Sequence, residues 1–190
     1  MDGVQTGAAQ KLLDRQSLVA PLRGRILEIG PGRGVNLPHY HPEAEWVGIE
    51  PAGSKHRAIR RRARQLGRSV RLHAAGAEEI PLADASVDAV AGTFVLCSVR
   101  DVRAALAEIR RVLRPGATFV FLEHVAAPAG TRTRRLQHVW TRVPFAQCRP
   151  DQHTGEILKG ADFTRVDYIE TTARGVFGLQ VPLIRGTAVR

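Results

Sequence analysis

A glycine-rich turn that follows a short apolar segment is the part of this sequence best suited to binding a ligand. The segment ILEI at 26–29 predicts a β-strand, and Gly30, Gly32 and Gly34 follow it at alternate positions. Because glycine has no Cβ, such a turn can bring backbone N–H groups close to a bound molecule. The dinucleotide fingerprint G-x-G-x-x-G places its last two glycines three positions apart, whereas here they are two apart. A nicotinamide cofactor is therefore not the first expectation.

Two carboxylates accompany this turn and point to a nucleoside ligand. Glu28 stands late in the first predicted strand, and Glu50 ends the second. A carboxylate at the end of that strand can accept two hydrogen bonds from the cis-diol of a ribose. The pattern predicts a pocket with the ribose on Glu50 and an adenine beside residues 76–78. A methionine-like arm would lie over the turn at 30–34, with Glu28 organising its ammonium group.

Alternating apolar and amphipathic segments predict the elements that position this pocket. Strands are expected at 25–29, 45–50, 69–75, 87–94, 118–124, 163–171 and 181–188, and helices at 35–39, 53–66, 102–113, 132–143 and 154–160. This alternation predicts an α/β protein with a parallel sheet and helices on both faces. The short connection between the last two strands predicts an antiparallel hairpin at the sheet edge. Ligands of such open sheets bind beyond the carboxyl ends of the strands, where the marked residues fall.

Length and composition favour a single globular domain. The 190 residues are 44% hydrophobic and 24% charged, enough for a sizeable core. We expect residues 1–24 to form an N-terminal leader or lid, 25–125 a cofactor-binding core, and 126–190 the substrate-side helices and edge hairpin. No stretch approaches the ~20 apolar residues of a transmembrane helix, and the N-terminus lacks a signal-peptide pattern. A cytoplasmic protein is expected, as a monomer or homodimer, with peripheral membrane contact left open.

The net charge of +10 raises the alternative of an RNA-binding or RNA-modifying protein. Arginines 57, 60, 61 and 64 share one face of the predicted helix 53–66. Such a run of charge is more often a solvated helix face than a binding site. The helix also lacks the interleaved aromatic residues that single-stranded nucleic acid favours. A nucleic-acid partner is therefore not expected.

Four ordered motifs resemble those of the class I S-adenosylmethionine-dependent methyltransferases. They are LEIGPGRG at 27–34, GIEP at 48–51, AEEIPLADASVDAV at 77–90 and IRRVLRPGATFVFLEH at 109–124. The resemblance implies a Rossmann-like, doubly wound seven-stranded sheet of order 3-2-1-4-5-7-6 with strand 7 antiparallel. It also implies S-adenosyl-L-methionine as cofactor, S-adenosyl-L-homocysteine as product, and a small-molecule methyl acceptor.

The residues expected to bind the cofactor lie in the turn, at strand ends and in the loop after strand three. They are Glu28, Gly30, Pro31, Gly32, Gly34, Asn36, Glu50, Pro51, Gly76, Ala77, Glu78, Thr93 and Phe94. One departure from the family matters, because many relatives carry an aspartate where Gly76 stands. The contact with the adenine amino group is then expected from Glu78 or from backbone.

Three further motifs resemble the methyltransferase-like seven group of alkyl thiol S-methyltransferases. They are AAGAEEI at 74–80, FVLCSVRD at 94–101 and EHVAAP at 123–128. This resemblance implies a thiol as the methyl acceptor. The LPHY segment at 37–40 resembles bacterial phospholipid N-methyltransferases instead, so a phospholipid or amine acceptor stays an alternative, as does the ring carbon of a quinone.

Methyl transfer from a sulfonium mainly requires that the enzyme hold a nucleophile in line, so little acid–base help is expected. His124, at the end of strand five, is the catalytic candidate, able to take a proton or orient a nucleophile, with a structural histidine as the alternative. No metal is expected, because Cys97 and Cys148 do not form a metal-ligand pattern. The candidates for the acceptor pocket are Tyr40, Cys97, Trp140, Phe145 and Cys148.

Overall fold

A computed structural model describes residues 14–144, 148–174 and 179–190 of the chain. Its strands form one seven-stranded sheet of order 3-2-1-4-5-7-6. They are β1 Arg25–Ile29, β2 Glu45–Ile49, β3 Arg71–His73, β4 Val87–Thr93, β5 Leu113–His124, β6 Arg165–Arg174 and β7 Gln180–Val189. Strands β1 to β5 pair in parallel, whereas β7 is antiparallel to both β5 and β6. The predicted fold and strand order are confirmed.

Among the described residues, five helices and two 3₁₀ turns precede or connect these strands. The helices are α1 Arg15–Val19, α2 Gly53–Gln65, α3 Val102–Val112, α4 Arg132–Trp140 and α5 Thr154–Lys159, and the turns are η1 Leu37–His39 and η2 Leu96–Ser98. The helix predicted at 35–39 is only the turn η1, whose Pro38 has no N–H to donate to a longer helix. Strand β3 is three residues long rather than seven, and β5 begins earlier than predicted.

The core lies on both faces of the sheet because successive strand residues point to opposite sides. On one face, the stripe of α3 that includes Ala105, Leu106 and Ile109 is fully buried. On the other face, Ile59 of α2 and Val19 of α1 are fully buried. Because strands β1 to β5 run parallel, their carboxyl ends lie together at the same edge of the sheet. That edge holds the site.

Helix α1 lies against the sheet close to that edge. The Asp14 carboxylate caps it by accepting hydrogen bonds from the backbone N–H groups of Gln16 and Ser17, at 2.9 and 3.3 Å. Arg185 of β7 donates to the Asp14 carbonyl and the Ser17 hydroxyl, and these hydrogen bonds hold α1 to strand β7. Residues 1–13 of the predicted leader lie outside the described residues. Within the described ranges, no helix is long and apolar enough to cross a membrane.

Candidate active site

A cavity of about 630 Å³ opens beyond the carboxyl ends of the first four strands. Ligand sites for small molecules commonly enclose about 300–1,000 Å³, so a nucleoside with an amino-acid arm fits. Seven of the expected cofactor residues line this cavity: Gly30, Glu50, Pro51, Gly76, Ala77, Glu78 and Phe94. The fold thus brings together the turn, the ribose candidate and the adenine loop that were predicted separately.

The three glycines of the turn all adopt left-handed backbone conformations. Their φ angles are +59° at Gly30, +59° at Gly32 and +74° at Gly34. A Cβ on Gly30 would lie 2.4 Å from the Cγ2 atom of Val95, closer than atoms can approach. Gly30 also donates its N–H to the Ile49 carbonyl at 2.9 Å, which fixes the turn to β2. A side chain at position 30 would therefore be disfavoured by both conformation and space.

Glu50 fastens the glycine turn to the end of β2. Its side chain is buried, and Oε2 accepts a hydrogen bond from the Gly32 N–H at 3.0 Å. Oε1 accepts from the Ala52 N–H at 3.1 Å and from Lys55 Nζ at 3.2 Å. A carboxylate can accept about four hydrogen bonds, so capacity remains for a hydroxyl donor in the cavity. The group is thus already oriented where a ribose would meet it.

In the loop after β3, the Glu78 side chain folds back over Gly76. A Cβ on Gly76 would lie 2.7 Å from Oε2 of Glu78, so the Glu78 carboxylate occupies the space that an aspartate would need. The other oxygen, Oε1, accepts a hydrogen bond from the Arg100 N–H at 2.7 Å. Glu78 lines the cavity and can accept a hydrogen bond there in place of an aspartate at position 76.

Glu28 lies beneath the glycine turn rather than on the cavity lining. Its oxygens accept hydrogen bonds from Asn36 Nδ2 and Trp46 Nε1, both at 2.9 Å, and the carboxylate is 1% exposed. Asn36 Nδ2 also donates to the Thr93 hydroxyl at 2.9 Å. Burial raises the pKa of Glu28, and the Trp46 and Asn36 hydrogen bonds oppose that rise. Glu28 therefore belongs to a buried network that holds β1, β2 and β4 together, and any organising effect on an ammonium group would act through that network.

The remaining expected cofactor residues support the turn from behind. Pro31, Gly34, Asn36 and Thr93 are buried and are not among the described residues that line the cavity. Gly32 meets the site through its N–H bond to Glu50. These positions shape the backbone of the site without offering a side chain to the cavity.

Phe94 lines the cavity and lies between it and His124. It has a φ of +57°, which is rare for a residue with a side chain and is often found at functional sites. Its N–H donates to the Leu122 carbonyl at 2.8 Å, which holds it on β5. Its ring lies 4.6 Å from the His124 ring, and the Arg15 guanidinium lies 5.0 Å from the ring centre. Arg15 of α1 also donates to the Thr93 hydroxyl at 3.2 Å.

Two thiols and an imidazole lie close together next to Phe94. The Sγ atoms of Cys97 and Cys148 are 3.1 Å apart, and His124 Nδ1 lies 3.7 Å from the first and 3.6 Å from the second. Their spacing in the chain gives no metal motif, yet the fold brings all three ligand atoms within 4.8 Å of one another. The contact with Cys97 lowers the pKa of the Cys148 thiol, while the same contact and burial raise the pKa of Cys97.

The other acceptor candidates are placed differently. Tyr40 is 2% exposed and packs in the core with Trp46, so it does not line the cavity; burial also raises the pKa of its hydroxyl. Trp140 is half exposed on α4, and its indole N–H donates to the Cys148 carbonyl at 3.1 Å. Phe145 lies outside the described residues.

Sequence reasoning missed a buried acid beside the candidate catalytic histidine. Glu123 is fully buried in β5, and its Oε1 accepts a hydrogen bond from the Val95 N–H at 3.0 Å. Burial raises the pKa of Glu123 to about 7, although that hydrogen bond opposes the shift. The only signal for it was an acidic residue within the apolar strand TFVFLEH. Its bond to Val95 holds the backbone that follows β4 at the cavity wall.

Comparison with known proteins agrees with this geometry. Residues 27–121 match a family model described as a methyltransferase domain. The chain is 34% identical over 174 residues to human thiol S-methyltransferase TMT1A, a match covering 87% of this chain and 70% of the relative. The chain belongs to the class I S-adenosylmethionine-dependent methyltransferases. It also shares 34% identity over 148 residues with human thiol S-methyltransferase TMT1B, covering 74% of this chain and 60% of the relative.

A quinone-related methyltransferase also matches the chain. Demethylmenaquinone methyltransferase of Thermus thermophilus is 37% identical over 109 residues, covering 56% of this chain and 50% of the relative. This match is shorter than those with the thiol methyltransferases, and methyl transfer is the activity that all these relatives share.

Similar solved structures show the fold alone. The [4+2]-cyclase SpnF superposes with a TM-score of 0.77 at 20% identity, covering 98% of this chain and 82% of SpnF. Geranyl diphosphate C-methyltransferase from Streptomyces coelicolor gives 0.70 at 15% identity, covering 98% and 80% of the two chains. Since one of these proteins is a cyclase, this fold does not by itself determine the reaction.

Proposed function

We propose that this methyltransferase methylates the sulfur of a small alkyl thiol. The observation that carries the proposal is the match with human thiol S-methyltransferase TMT1A, because it spans 87% of this chain. The match therefore extends beyond the cofactor half into the segments that would receive an acceptor. Cys97, His124 and Cys148 lie next to the cavity through the contact of His124 with Phe94, and their polarisable sulfur atoms suit a neighbouring acceptor sulfur.

S-adenosylmethionine, when bound, supplies an electrophilic methyl group on a sulfonium sulfur. In our proposal the carboxylate of Glu50 accepts from the ribose hydroxyls and Glu78 accepts from the adenine amino group. The backbone of the 30–34 turn lies against the methionine arm. The residues present fit this ligand. Gly30 has no side chain, so its backbone lines the cavity directly, and Glu50 lines the cavity with its carboxylate held by the Gly32 N–H.

The acceptor side would be formed by His124 and by described segments beyond residue 125. A thiol has a reference pKa near 8.5, so a thiolate forms near neutral pH with little help. The thiolate lone pair would form the new sulfur–carbon bond as the sulfonium–methyl bond breaks. The electrons of the broken bond would stay on the leaving sulfur. His124 would orient the thiol or accept its proton.

An acceptor screen tests this proposal. The purified protein is incubated with S-adenosylmethionine labelled in its methyl group and, separately, with alkyl thiols, amines, phenols, phospholipids and a reduced quinone. We expect label in methyl thioethers. The Glu50→Ala variant serves as the control for activity that depends on this cavity. Label found in amines, phospholipids or ring carbons, with none in thioethers, contradicts a thiol acceptor.

A quinone ring carbon is the second candidate acceptor. It is favoured by the identity shared with demethylmenaquinone methyltransferase, which is 37% over 109 residues. That match covers only 56% of this chain, so it bears on the cofactor half more than on the acceptor side. The reduced quinone in the screen separates the two candidates, because its product carries a new carbon–carbon bond rather than a thioether.

We further propose a cytoplasmic location. Both cysteines are free thiols, as is usual in reducing compartments. Fractionation of cells that express the untagged chain, followed by detection with an antibody, tests this. Recovery in the soluble cytoplasmic fraction is expected, and recovery with membranes contradicts it.

A further inference from the structure

The Cys97–His124–Cys148 cluster has the composition and spacing of a metal site. Its three ligand atoms are separated by 3.1, 3.6 and 3.7 Å. A point equidistant from atoms at these separations lies about 2 Å from each, and an ion slightly out of their plane reaches the roughly 2.0–2.3 Å of zinc–nitrogen and zinc–sulfur bonds. A disulfide would involve only the two sulfur atoms, whereas here an imidazole nitrogen lies almost equally far from both.

Separate elements hold these three groups in place. Cys97 lies in η2, His124 ends β5, and Cys148 comes from the segment between α4 and α5. The backbone N–H of Arg149 donates to the Cys97 carbonyl at 2.6 Å, which joins the two cysteine segments directly. The Trp140 indole N–H holds the Cys148 carbonyl from the other side.

A buried glutamine adds a third tether to the same segment. Gln137 of α4 is 5% exposed, and its Nε2 donates to the carbonyls of Val125 and Pro150 at 2.9 and 2.8 Å. Its Oε1 accepts from the Ala127 N–H at 2.8 Å. One side chain thus clamps the exit of β5 to the chain just beyond Cys148. The convergence of the three ligand groups is built into the fold by several independent contacts.

We propose that Cys97, His124 and Cys148 bind one zinc ion and leave its fourth coordination position open. Thiolate and imidazole ligands suit zinc, and three protein ligands with an open fourth position are the usual arrangement in catalytic zinc sites. Cys97 is buried, while His124 and Cys148 are partly exposed, so an ion can enter from the side of the last two. The site faces the acceptor side of the cavity through the contact between the rings of His124 and Phe94.

The open position accepts the sulfur of the acceptor, and this part rests on the proposed function. A thiol that coordinates zinc loses its proton to solvent water and is held as a thiolate. The thiolate lone pair would then form the sulfur–methyl bond as the sulfonium–methyl bond breaks, with the electrons of the broken bond staying on the departing sulfur. The product thioether is a weaker ligand and would leave the ion. The metal would thus both generate and position the nucleophile, and His124 would act as a ligand of the ion instead of accepting the proton itself.

Cobalt titration tests the site without relying on activity. Tag-free protein is stripped with a chelator under a phosphine reductant and titrated with Co²⁺, followed by Zn²⁺. We expect one ion per chain, with tetrahedral cobalt absorption and a near-ultraviolet thiolate-to-cobalt band that Zn²⁺ removes. The sequence contains two cysteines, so this band reports on Cys97 and Cys148.

Variants assign the ligands and control for folding. Cys148→Ser, at a partly exposed position, should weaken zinc binding by at least about 100-fold, more than the roughly 10–100-fold typical of a change outside the ligands. His124→Ala should remove the site as well, while the matched variant His41→Ala, remote from the cluster, should bind like the wild type. An unchanged thermal midpoint for Cys148→Ser keeps the test valid even if the buried Cys97 tolerates no replacement.

The outcomes separate this inference from the proposed function. Absence of the thiolate-to-cobalt band, or its persistence in Cys148→Ser, overturns the zinc site. If the stripped protein still methylates thiols at the wild-type rate, the zinc-bound acceptor is overturned while the proposed function stands. If zinc binds with the expected ligands but no thiol is methylated, the site stands and the proposed function fails.

Discussion

At the scale of single residues, Gly30 offers the sharpest test of the turn. Gly30 and Gly32 share a φ of +59°, but only a Cβ at position 30 meets a neighbour, the Val95 side chain at 2.4 Å. Gly32→Ala should therefore lower the free energy of unfolding by about 1–2 kcal/mol through conformation alone, and Gly30→Ala by about 2–5 kcal/mol. Urea denaturation measures both. Equal losses would mean that the contact with Val95 is relieved at little cost.

Glu50 is the residue on which cofactor affinity should depend most. Glu50→Ala removes charge-assisted hydrogen bonds to the ligand and also frees the Gly32 N–H, so affinity should fall by about 1.5–3 kcal/mol, or more than tenfold. Calorimetric titration with S-adenosylhomocysteine measures this. Glu43→Ala, at an exposed position away from the cavity, is the control. Unchanged affinity in Glu50→Ala would remove Glu50 from the site.

The buried carboxylate of Glu28 makes stability depend on pH. Burial raises its pKa above the ordinary value of 4.5, so the folded protein holds this proton at pH values where the unfolded chain has lost it. The contribution of Glu28 to stability is therefore full below pH 4.5 and falls as pH rises toward the folded-state pKa. Urea denaturation of wild type and Glu28→Gln between pH 4.5 and 7.5 should show the free energy of unfolding of the wild type falling, relative to that of the variant, as pH rises. A wild type whose stability rises relative to that of the variant as pH increases, or stays at a constant difference from it, would contradict the raised pKa.

At the scale of elements, helix α1 is fastened to the end of β4 by Arg15. Its guanidinium donates to Thr93 and lies over the Phe94 ring, contacts worth about 1 kcal/mol together. Arg15→Met keeps much of the side-chain stem and removes both contacts, so amide exchange in Arg15–Val19 should accelerate about fivefold. Arg23→Met is the matched control, because the Arg23 guanidinium donates to nearby carbonyls of its own turn. Equal acceleration in both variants would show that Arg15 does not secure the helix.

The elements also show which parts of the fold and of the candidate site could be predicted from the sequence. The strands and the α/β class were predictable, because buried strands and the α3 stripe have clear apolar periodicity and the glycine motif marks the first turn. The strand order was implied by the resemblance to the class I methyltransferases. The cluster of Cys97, His124 and Cys148 was not predictable, since its cysteines are 51 residues apart and join through a segment without periodicity. Glu28 was predicted as a ligand-side residue, but its burial depends on Trp46, a partner from the next strand that only the folded structure reveals.

At the scale of the whole molecule, the net charge of +10 has to be weighed against the site. The arginines of α2 at 57, 60, 61 and 64 are exposed, as expected of a solvated helix face. We expect no saturable binding of single-stranded RNA at about 150 mM salt, because binding by diffuse charge alone weakens steeply with salt. Fluorescence anisotropy across a salt series measures this. Tight binding that survives moderate salt would favour a nucleic-acid partner.

Competition among acceptors gives the clearest test of methyl transfer to the sulfur of an alkyl thiol. One reaction contains S-adenosylmethionine and equal amounts of an alkyl thiol and the amine and alcohol of the same carbon skeleton, so that only the acceptor atom differs. Mass spectrometry then measures the three methylated products. A thiol methyltransferase yields the methyl thioether in large excess over the other two products, and Glu50→Ala lowers the yield of this thioether when the cofactor is not saturating. Methylation mainly of the amine or alcohol, or none above the level of the variant, would contradict methyl transfer to sulfur.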